Sequence, residues 1–219
     1  MNILFDIDDT LFPSSEFSAL ARKNALNAMI GMGLDHDYND LNERLDAIIK
    51  EKGPNYARHF DDLCKELKIM KPARFIASAV AAYHDTKASI APYPKVPLTL
   101  IKLKEENHSL FIATNGNSVK QWDKLIRLGI ELYFDRVFVS EDIGREKDVG
   151  FYKKVLELLG ARPGECVMVG DREDADIIPS KKAGLITVRV LTGKHAHVPS
   201  TADHTIRDIS ELLPIVKNL

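Results

Sequence analysis

The spacing of hydrophobic positions changes twice along this 219-residue chain and divides it into three stretches. The chain opens with a short apolar run, Ile3 to Phe5, which is typical of a strand buried on both faces of a parallel sheet. Apolar residues then recur every three or four positions from Ser14 to about residue 91, which predicts four amphipathic helices with short connections. After the proline-rich segment 92–97, short apolar runs alternate with helical patterns, which indicates strands and helices in turn.

This order predicts an α/β fold, in which a Rossmann-like parallel sheet has helices on both faces and an α-helical bundle is inserted after the first strand. We expect a catalytic α/β core of residues 1–13 and 92–219 and an inserted helical domain of residues 14–91. Apolar runs in the core predict strands at residues 110–114, 137–140, 167–170 and 186–190. Helical patterns predict core helices around residues 100–103 and at residues 118–128, 151–159, 175–183 and 209–217.

Three carboxylates and a threonine follow the first strand directly, in the order Asp6, Asp8, Asp9 and Thr10. Side chains two positions apart in an extended segment point to the same side, so Asp6 and Asp8 should both face the cleft beyond the carboxyl ends of the strands. Carboxylates grouped at such a place repel one another and need a cation or a proton to coexist. The alternative for these residues alone is a turn whose aspartates cap the next helix.

Two further segments with chemical capacity follow later strands. Thr114 and Asn115 begin a T-N-G turn, whose hydroxyl and free backbone N–H groups can hold phosphate oxygens, although the same residues also make ordinary turns. Lys147 lies in the loop after the strand at 137–140 and would supply a cation, for which Arg145 and Lys153 compete.

A last acidic segment follows the strand V-M-V-G at residues 167–170. It contains Asp171, Asp174 and Asp176, just before a predicted helix. The alternative interpretation is a helix N-terminus that is rich in acids because its dipole favours them.

These segments together resemble the motifs of the haloacid dehalogenase superfamily, a group dominated by magnesium-dependent phosphatases. The string D-I-D-D-T at residues 6–10 matches the motif D-x-D-x-T, and the T-N-G turn at 114–116 matches the second motif. The string S-E-D-I-G-R-E-K at residues 140–147 matches the third motif, although Asp148 replaces the proline that usually follows the lysine.

The fourth motif and the remaining chain extend this resemblance over essentially the whole sequence. The G-D pair at residues 170–171, with Asp176 after four intervening residues, matches the fourth motif and assigns Asp171 and Asp176 rather than Asp174. The inserted bundle corresponds to the α-helical cap that covers the active site of many members. Residues 117–128 are similar to the matching helix of archaeal members, some of which are assigned as phosphatases of glyceraldehyde 3-phosphate.

The resemblance implies a site for Mg²⁺, a hard cation that prefers oxygen ligands. Its ligands would be the side chains of Asp6 and Asp171 and the backbone carbonyl of Asp8. Asp176 would support this metal site, or Lys147, without binding the substrate.

The resemblance also implies the reaction, which is hydrolysis of a small phosphorylated metabolite such as glyceraldehyde 3-phosphate or phosphoglycolate. Asp6 would attack phosphorus and form an aspartyl-phosphate. Asp8 would protonate the leaving alkoxide and then activate the hydrolytic water. Lys147, together with Thr114 and Asn115, would hold the phosphate, and the cap would exclude bulk water.

Several other functions are less consistent with these residues. A dehalogenase would not need an acid two residues after its nucleophile, so Asp8 favours phosphoryl chemistry. A phosphomutase uses the same core and differs in its cap and in what accepts the phosphate. Loss of a site residue would favour a non-catalytic binding protein of this fold, and none of the four is lost. A signalling receiver domain would need an aspartate at the third strand, where residues 137–140 offer none.

The composition argues against nucleic-acid partners and membrane spans and indicates the cellular compartment. The formal net charge is −2 without a basic run, which argues against a nucleic-acid partner, and no apolar run approaches the roughly 18 residues of a membrane span. Met1 leads directly into the first strand, so we expect no signal peptide. The two cysteines, Cys64 and Cys166, lie in apolar patterns typical of buried thiols, which favours a cytoplasmic protein. The family resemblance implies a monomer or a homodimer. The H-x-H string at residues 195–197 is interpreted as part of a loop rather than a metal site.

Overall fold

The computed structural model describes residues 1–54 and 56–219. In chain order, its strands and α-helices are β1 (Asn2–Phe5), α1 (Ser14–Gly31), α2 (Tyr38–Lys52), α3 (His59–Glu66), α4 (Ala73–Ala88), α5 (Val96–Glu105), β2 (Ser109–Thr114), α6 (Ser118–Leu128), β3 (Arg136–Val139), α7 (Ser140–Ile143), α8 (Val149–Leu159), β4 (Cys166–Gly170), α9 (Ile178–Lys182), β5 (Ile186–Val190), β6 (His204–Ile206) and α10 (Leu212–Lys217).

The described strands form one parallel six-stranded sheet in the order β3-β2-β1-β4-β5-β6. The apolar first strand is therefore central: Phe5 pairs with Ile112 of β2 on one side and with Val169 of β4 on the other. The three residues are fully buried, as the unbroken apolar runs predict for a sheet covered on both faces. The predicted Rossmann-like α/β fold is confirmed.

One face of the sheet packs against helix α8. Leu4, Phe111 and Met168 of β1, β2 and β4 form one buried hydrophobic cluster with Phe151 and Val155 of the helix. Burying such a side chain stabilises the folded state by about 1.5–3 kcal/mol. This packing fixes the strands whose carboxyl ends carry the polar motifs.

The helix predicted at residues 175–183 is divided in two, and Pro179 explains the division. Proline lacks the N–H that would donate to the Ala175 carbonyl in an α-helix. Residues Glu173–Ile177 instead form a wider π-helical turn, and the Tyr152 hydroxyl donates to the Ala175 carbonyl at 2.9 Å. Helix α9 then begins at Ile178.

Two elements of the sheet domain were not predicted. Strand β6 has three residues, of which His204 and Thr205 are polar, and its position depends on pairing with β5 rather than on its own pattern. Ser140, predicted to end a strand, instead begins the short helix α7, which ends where Gly144 adopts the left-handed conformation.

The chain divides into two compact units, residues Met1–Ser15 with Ile90–Leu219, and residues Glu16–Ser89. The second unit is helical, with its own core that includes Leu26, Leu41, Leu45 and Leu63. Asp37 caps α2 by accepting hydrogen bonds from the N–H groups of the first turn. The assignment of residues 14–91 as a cap and of the remainder as a catalytic domain stays a prediction.

The described residues also bear on the membrane and cysteine predictions. No helix among residues 1–54 and 56–219 combines the length and the apolarity that crossing a membrane requires. Cys64 and Cys166 are both buried and free, as their apolar patterns predict.

Candidate active site

The carboxyl ends of the three central strands bring the sequence motifs together. Asp6 follows β1, and its backbone N–H donates to the Val169 carbonyl at 2.9 Å, which extends the pairing with β4 by one residue. Asp171 follows β4 directly, and Thr114 is the last residue of β2. Because these strands are parallel neighbours, residues more than 160 positions apart lie at one edge of the sheet.

Lys147 joins two of the motif carboxylates. Its Nζ donates to Asp6 Oδ1 at 2.6 Å, to Asp176 Oδ1 at 2.5 Å and to the Ala113 carbonyl at 3.2 Å. The lysine side chain is 3% exposed and the two carboxylates are 8% and 0% exposed. The three N–H donors of the ammonium group are therefore all used in a site that is shielded from water.

The other basic residues considered from the sequence lie elsewhere. Arg145 is exposed and pairs with Asp148 at 2.6 Å, and Lys153 is exposed on α8. Asp148, which stands where the superfamily usually has proline, caps α8 by accepting from the Phe151 N–H at 2.7 Å. The departure from the motif thus preserves the start of the helix.

Asp171 differs from the other buried acids in its contacts. Its residue is 2% exposed, and no group among residues 1–54 and 56–219 donates a hydrogen bond to its carboxylate. By contrast, Asp176 is saturated, since its Oδ1 accepts from Lys147 and its Oδ2 accepts from the Arg172 N–H at 2.9 Å. An unpartnered buried carboxylate requires either a proton or a cation.

Burial and mutual repulsion raise the pKa values of Asp6 and Asp171. Burial raises the pKa of Asp6 to about 7, with Lys147 opposing the rise and Asp176 and Asp8 adding to it. Burial, reinforced by Asp6 and then Asp176, raises the pKa of Asp171 to about 9. Burial tends to lower the pKa of Lys147, but Asp176 and Asp6 outweigh it and raise that pKa well above its ordinary value. One lysine is thus insufficient to compensate three buried carboxylates.

The donor set fits a hard divalent cation. One carboxylate oxygen from each of Asp6, Asp171 and Asp176 lies within 4.8 Å of the others, and all three residues are buried. Because both oxygens of Asp176 already accept hydrogen bonds, Asp6 and Asp171 are the side chains best placed to ligate Mg²⁺. A cation here would offset the burial and the repulsion that together raise the pKa values of Asp6 and Asp171.

Asp8 faces a different cation. The Nζ of Lys124 donates to Oδ1 and Oδ2 of Asp8 at 2.7 and 2.6 Å. The Asp8 side chain is 38% exposed, so it remains accessible to solvent. The next residue, Asp9, has a φ of 54°, and the tight turn it forms separates Asp8 from the helix that follows.

The second motif is held by neighbouring segments. The Asn115 Oδ1 accepts from the Lys147 backbone N–H at 2.8 Å, and its carbonyl accepts from Gln121 Nε2 at 2.6 Å. Thr114 is 1% exposed at the end of β2. The side chain of Asn115 therefore connects the loops of the second and third motifs, a role that the sequence did not indicate.

Arg189 is a further residue that the sequence analysis did not single out. It is fully buried in β5, and its Nε donates to the Asp171 carbonyl at 3.1 Å. Its guanidinium also donates to Glu173 at 2.9 Å and to the His195 carbonyl at 2.7 Å. The one charged residue in the strand I-T-V-R-V was the signal that could have identified it. Arg189 fixes the loop that carries Asp171.

Asp174 lies outside this cluster. Its side chain is 69% exposed and pairs with Arg172 at 2.5 Å. The residues that the motif comparison selected, Asp171 and Asp176, are the buried acids of this segment.

Known proteins match this chain over most of its length. The family model of the haloacid dehalogenase-like hydrolases matches residues 3–190. The chain is 45% identical to the glyceraldehyde 3-phosphate phosphatase of Methanocaldococcus jannaschii, over 99% of this chain and 97% of the relative.

Two solved structures share the fold at lower identity. A haloacid dehalogenase-like family hydrolase from Xanthomonas campestris is 20% identical, with a TM-score of 0.75 over 100% of this chain and 95% of that chain. YfnB from Bacillus subtilis, in a crystal structure bound to magnesium, is 23% identical, with a TM-score of 0.69 over 98% and 97%. The family model and the 45% identical relative confirm the resemblance of the motifs, and the chain belongs to the haloacid dehalogenase-like hydrolase family.

Proposed function

We propose that this protein is a Mg²⁺-dependent phosphatase that hydrolyses a small phosphate monoester through an aspartyl-phosphate on Asp6. The observation that carries the proposal is the buried pair of Asp6 with Lys147 beside the unpartnered carboxylate of Asp171. A phosphate monoester is a dianion, so a carboxylate attacks it only where cations offset the repulsion. When bound by Asp6, Asp171 and the Asp8 backbone carbonyl, Mg²⁺ supplies that positive charge.

The first chemical step belongs to Asp6 and Asp8. Lys147 holds Asp6 Oδ1 and thereby fixes the direction of the remaining carboxylate oxygen, which attacks phosphorus. The bond between phosphorus and the ester oxygen breaks as Asp8 delivers a proton to that oxygen, and the alcohol leaves.

The second step restores the enzyme. Asp8, now a carboxylate, takes a proton from water, whose oxygen attacks phosphorus. The bond between phosphorus and Asp6 breaks and inorganic phosphate leaves. In this proposal Thr114 and Asn115 hold the phosphate oxygens during both steps, Lys147 supplies positive charge beside them, and Asp176 keeps Lys147 in place.

The proposed substrate is a small phosphorylated metabolite. The 45% identical relative is named a glyceraldehyde 3-phosphate phosphatase and aligns over nearly its whole length, which supports a three-carbon aldehyde phosphate as the first substrate to test. Phosphoglycolate is the second candidate.

The test is phosphate release from a panel of monoesters with Mg²⁺, with Asp6→Asn and Asp174→Asn as variants. The panel contains glyceraldehyde 3-phosphate, phosphoglycolate, sugar phosphates, nucleoside monophosphates and p-nitrophenyl phosphate. Loss of the nucleophile is expected to lower kcat by about 10⁴-fold or more. Asp174→Asn, which changes an exposed acid of the same segment, should keep wild-type turnover. Turnover that survives a chelator, or that persists in Asp6→Asn, would contradict the proposal.

Hydrolysis and phosphomutase activity are separated by the fate of the phosphoryl group. In water enriched in ¹⁸O, a phosphatase releases phosphate that carries one solvent oxygen. Transfer to a sugar phosphate without release of labelled phosphate would instead identify a phosphomutase.

A further inference from the structure

Helix α6 places the ammonium group of Lys124 against Asp8, and neither step of the proposed mechanism uses this lysine. Lys124 Nζ contacts both carboxylate oxygens of Asp8, at 2.7 and 2.6 Å. The lysine side chain is 20% exposed, and its ammonium lies 5.9 Å from the centroid of the Phe12 ring. Phe12 is on the same turn as Asp8, with which it forms a β-bridge, so this turn contacts Lys124 at two points.

The helix that presents Lys124 is fixed at both ends. Asn117 caps its first turn and donates to Glu141 at 2.7 and 2.9 Å. Leu125, beside the lysine, is fully buried, and the helix ends at Gly129 in the left-handed conformation. A side chain on such a helix is placed more precisely than one on a loop.

The buried ammonium group of Lys147 cannot take over this contact with Asp8. Lys147 already donates to Asp6, Asp176 and the Ala113 carbonyl, so its three donors are used. Asp8 also lies on a turn rather than on a regular element, and its side chain is more exposed than that of Asp6. Its direction therefore depends on Lys124.

We infer that Lys124 is a positioning residue for Asp8: it orients the carboxylate that exchanges protons with the leaving group and with water. This inference rests on the proposed function. Without Lys124, the Asp8 side chain rotates freely, and proton delivery to the ester oxygen and proton removal from water both become slower.

The two steps give this role a distinctive kinetic signature. An alkyl phosphate has a poor leaving group, so its cleavage requires a well-placed acid. p-Nitrophenolate leaves without protonation, so its cleavage depends little on Asp8. Hydrolysis of the aspartyl-phosphate requires the base with either substrate, and the phosphorylated enzyme should therefore accumulate when p-nitrophenyl phosphate is the substrate.

The experiment compares Lys124→Met, Lys124→Arg and the control Lys120→Met with the wild type. Lys120 is exposed one turn earlier on the same helix. For Lys124→Met we expect kcat for the best alkyl phosphate to fall by about 10²-fold, the lower end of general acid–base contributions, with KM changed much less. p-Nitrophenyl phosphate should give a burst close to one p-nitrophenolate per enzyme. Lys124→Arg should restore part of kcat, since a guanidinium also binds both carboxylate oxygens.

Two kinetic results would overturn the inference. A rise in KM with unchanged kcat would assign Lys124 to substrate binding. Equal losses for both substrates without a burst, not rescued by arginine, would assign it a purely structural role. Urea unfolding of each variant identifies any loss caused by a less stable fold.

Crystal structures of the variants test the positioning role of Lys124 without requiring turnover. The Asp8 carboxylate should be displaced or spread over rotamers in Lys124→Met and should keep its place in Lys120→Met. An unmoved Asp8 carboxylate in Lys124→Met would refute positioning even if the kinetics agreed. If the wild type hydrolyses no monoester of the panel, the proposed function fails. The position of the Asp8 carboxylate in the crystal structures of Lys124→Met and Lys120→Met then decides whether Lys124 positions Asp8.

Discussion

Replacing Lys147 by methionine should reveal how strongly the site destabilises the fold when its charges are unpaired. Methionine keeps much of the side-chain length but removes the ammonium that contacts Asp6 and Asp176 at 2.6 and 2.5 Å. The carboxylates then remain buried, 8% and 0% exposed, without their cation. Removing one partner of a buried ion pair costs about 3–5 kcal/mol, so we expect a loss of that size in the free energy of unfolding at pH 8.

The pH dependence of this loss follows from the same groups. The pKa of Asp6, about 7 in the wild type, rises further once Lys147 is gone. An acid whose folded pKa is raised gives stability that is present below its unfolded pKa and lost as the pH rises through the folded pKa. The destabilisation by Lys147→Met should therefore be smaller at pH 5.5 than at pH 8.

Urea unfolding followed by fluorescence measures this loss. Trp122 is the sole tryptophan and lies in the sheet unit, so its emission reports unfolding of the part that contains the site. Lys154→Met is the control, because Lys154 pairs with Glu157 at the same 2.6 Å but at side-chain exposures of 46% and 68%. That exposed pair should contribute about 0.2–1 kcal/mol.

A specific rescue tests the electrostatic cause. Adding Asp176→Asn to Lys147→Met removes one unpaired charge with little change in shape, and it should recover part of the lost stability at pH 8. The reasoning is refuted if, without metal, Lys147→Met costs no more at pH 8 than Lys154→Met, or if its cost is larger at pH 5.5.

Two further predictions concern the acids and their surroundings. In the presence of a chelator, the Tm should fall between pH 5.5 and pH 8.5, because the raised pKa values of Asp6 (about 7) and Asp171 (about 9) give stability that is lost with rising pH. Mg²⁺ should raise the Tm more at pH 8.5 than at pH 5.5. Calorimetry that shows an equal or larger rise in Tm with Mg²⁺ at pH 5.5 would contradict this. Gly170→Ala should cost about 1–3 kcal/mol by urea unfolding, because its Cβ would lie 2.4 Å from the Asp176 carboxyl group, whereas Gly164→Ala, with open space around it, should cost less.

The sequence predicted the elements whose local signals agree with their tertiary surroundings. Helix α6 has the predicted bounds because Asn117 caps its start and Gly129 ends it. Strand β4 was predicted within one residue from its apolar run. Strand β6 was missed because its pattern is polar and only pairing with β5 defines it, and the π-helical turn was missed because it depends on Pro179 and on the distant Tyr152.

In the candidate site, too, residues with a local sequence signal could be predicted, whereas residues defined only by tertiary contacts could not. Asp6, Lys147, Asp171 and Asp176 could be selected in advance because each follows a strand in the order of known motifs. Their roles stay predictions, although the structure places them within one buried cluster. Lys124 could not be selected, because 116 residues separate it from Asp8 and nothing in a helical pattern indicates what a lysine contacts.

The central place of β1 also has a consequence for how the polypeptide is made. This strand leaves the ribosome before its two partners, β2, which is complete at Thr114, and β4, which is complete at Gly170. At synthesis rates of 5–20 residues per second, one edge of β1 waits roughly 3–11 s after β2 emerges before β4 becomes available. Residues Glu16–Ser89, whose partners are close in sequence, can fold during this delay, whereas Asp6 meets Asp171 only when most of the chain has been translated.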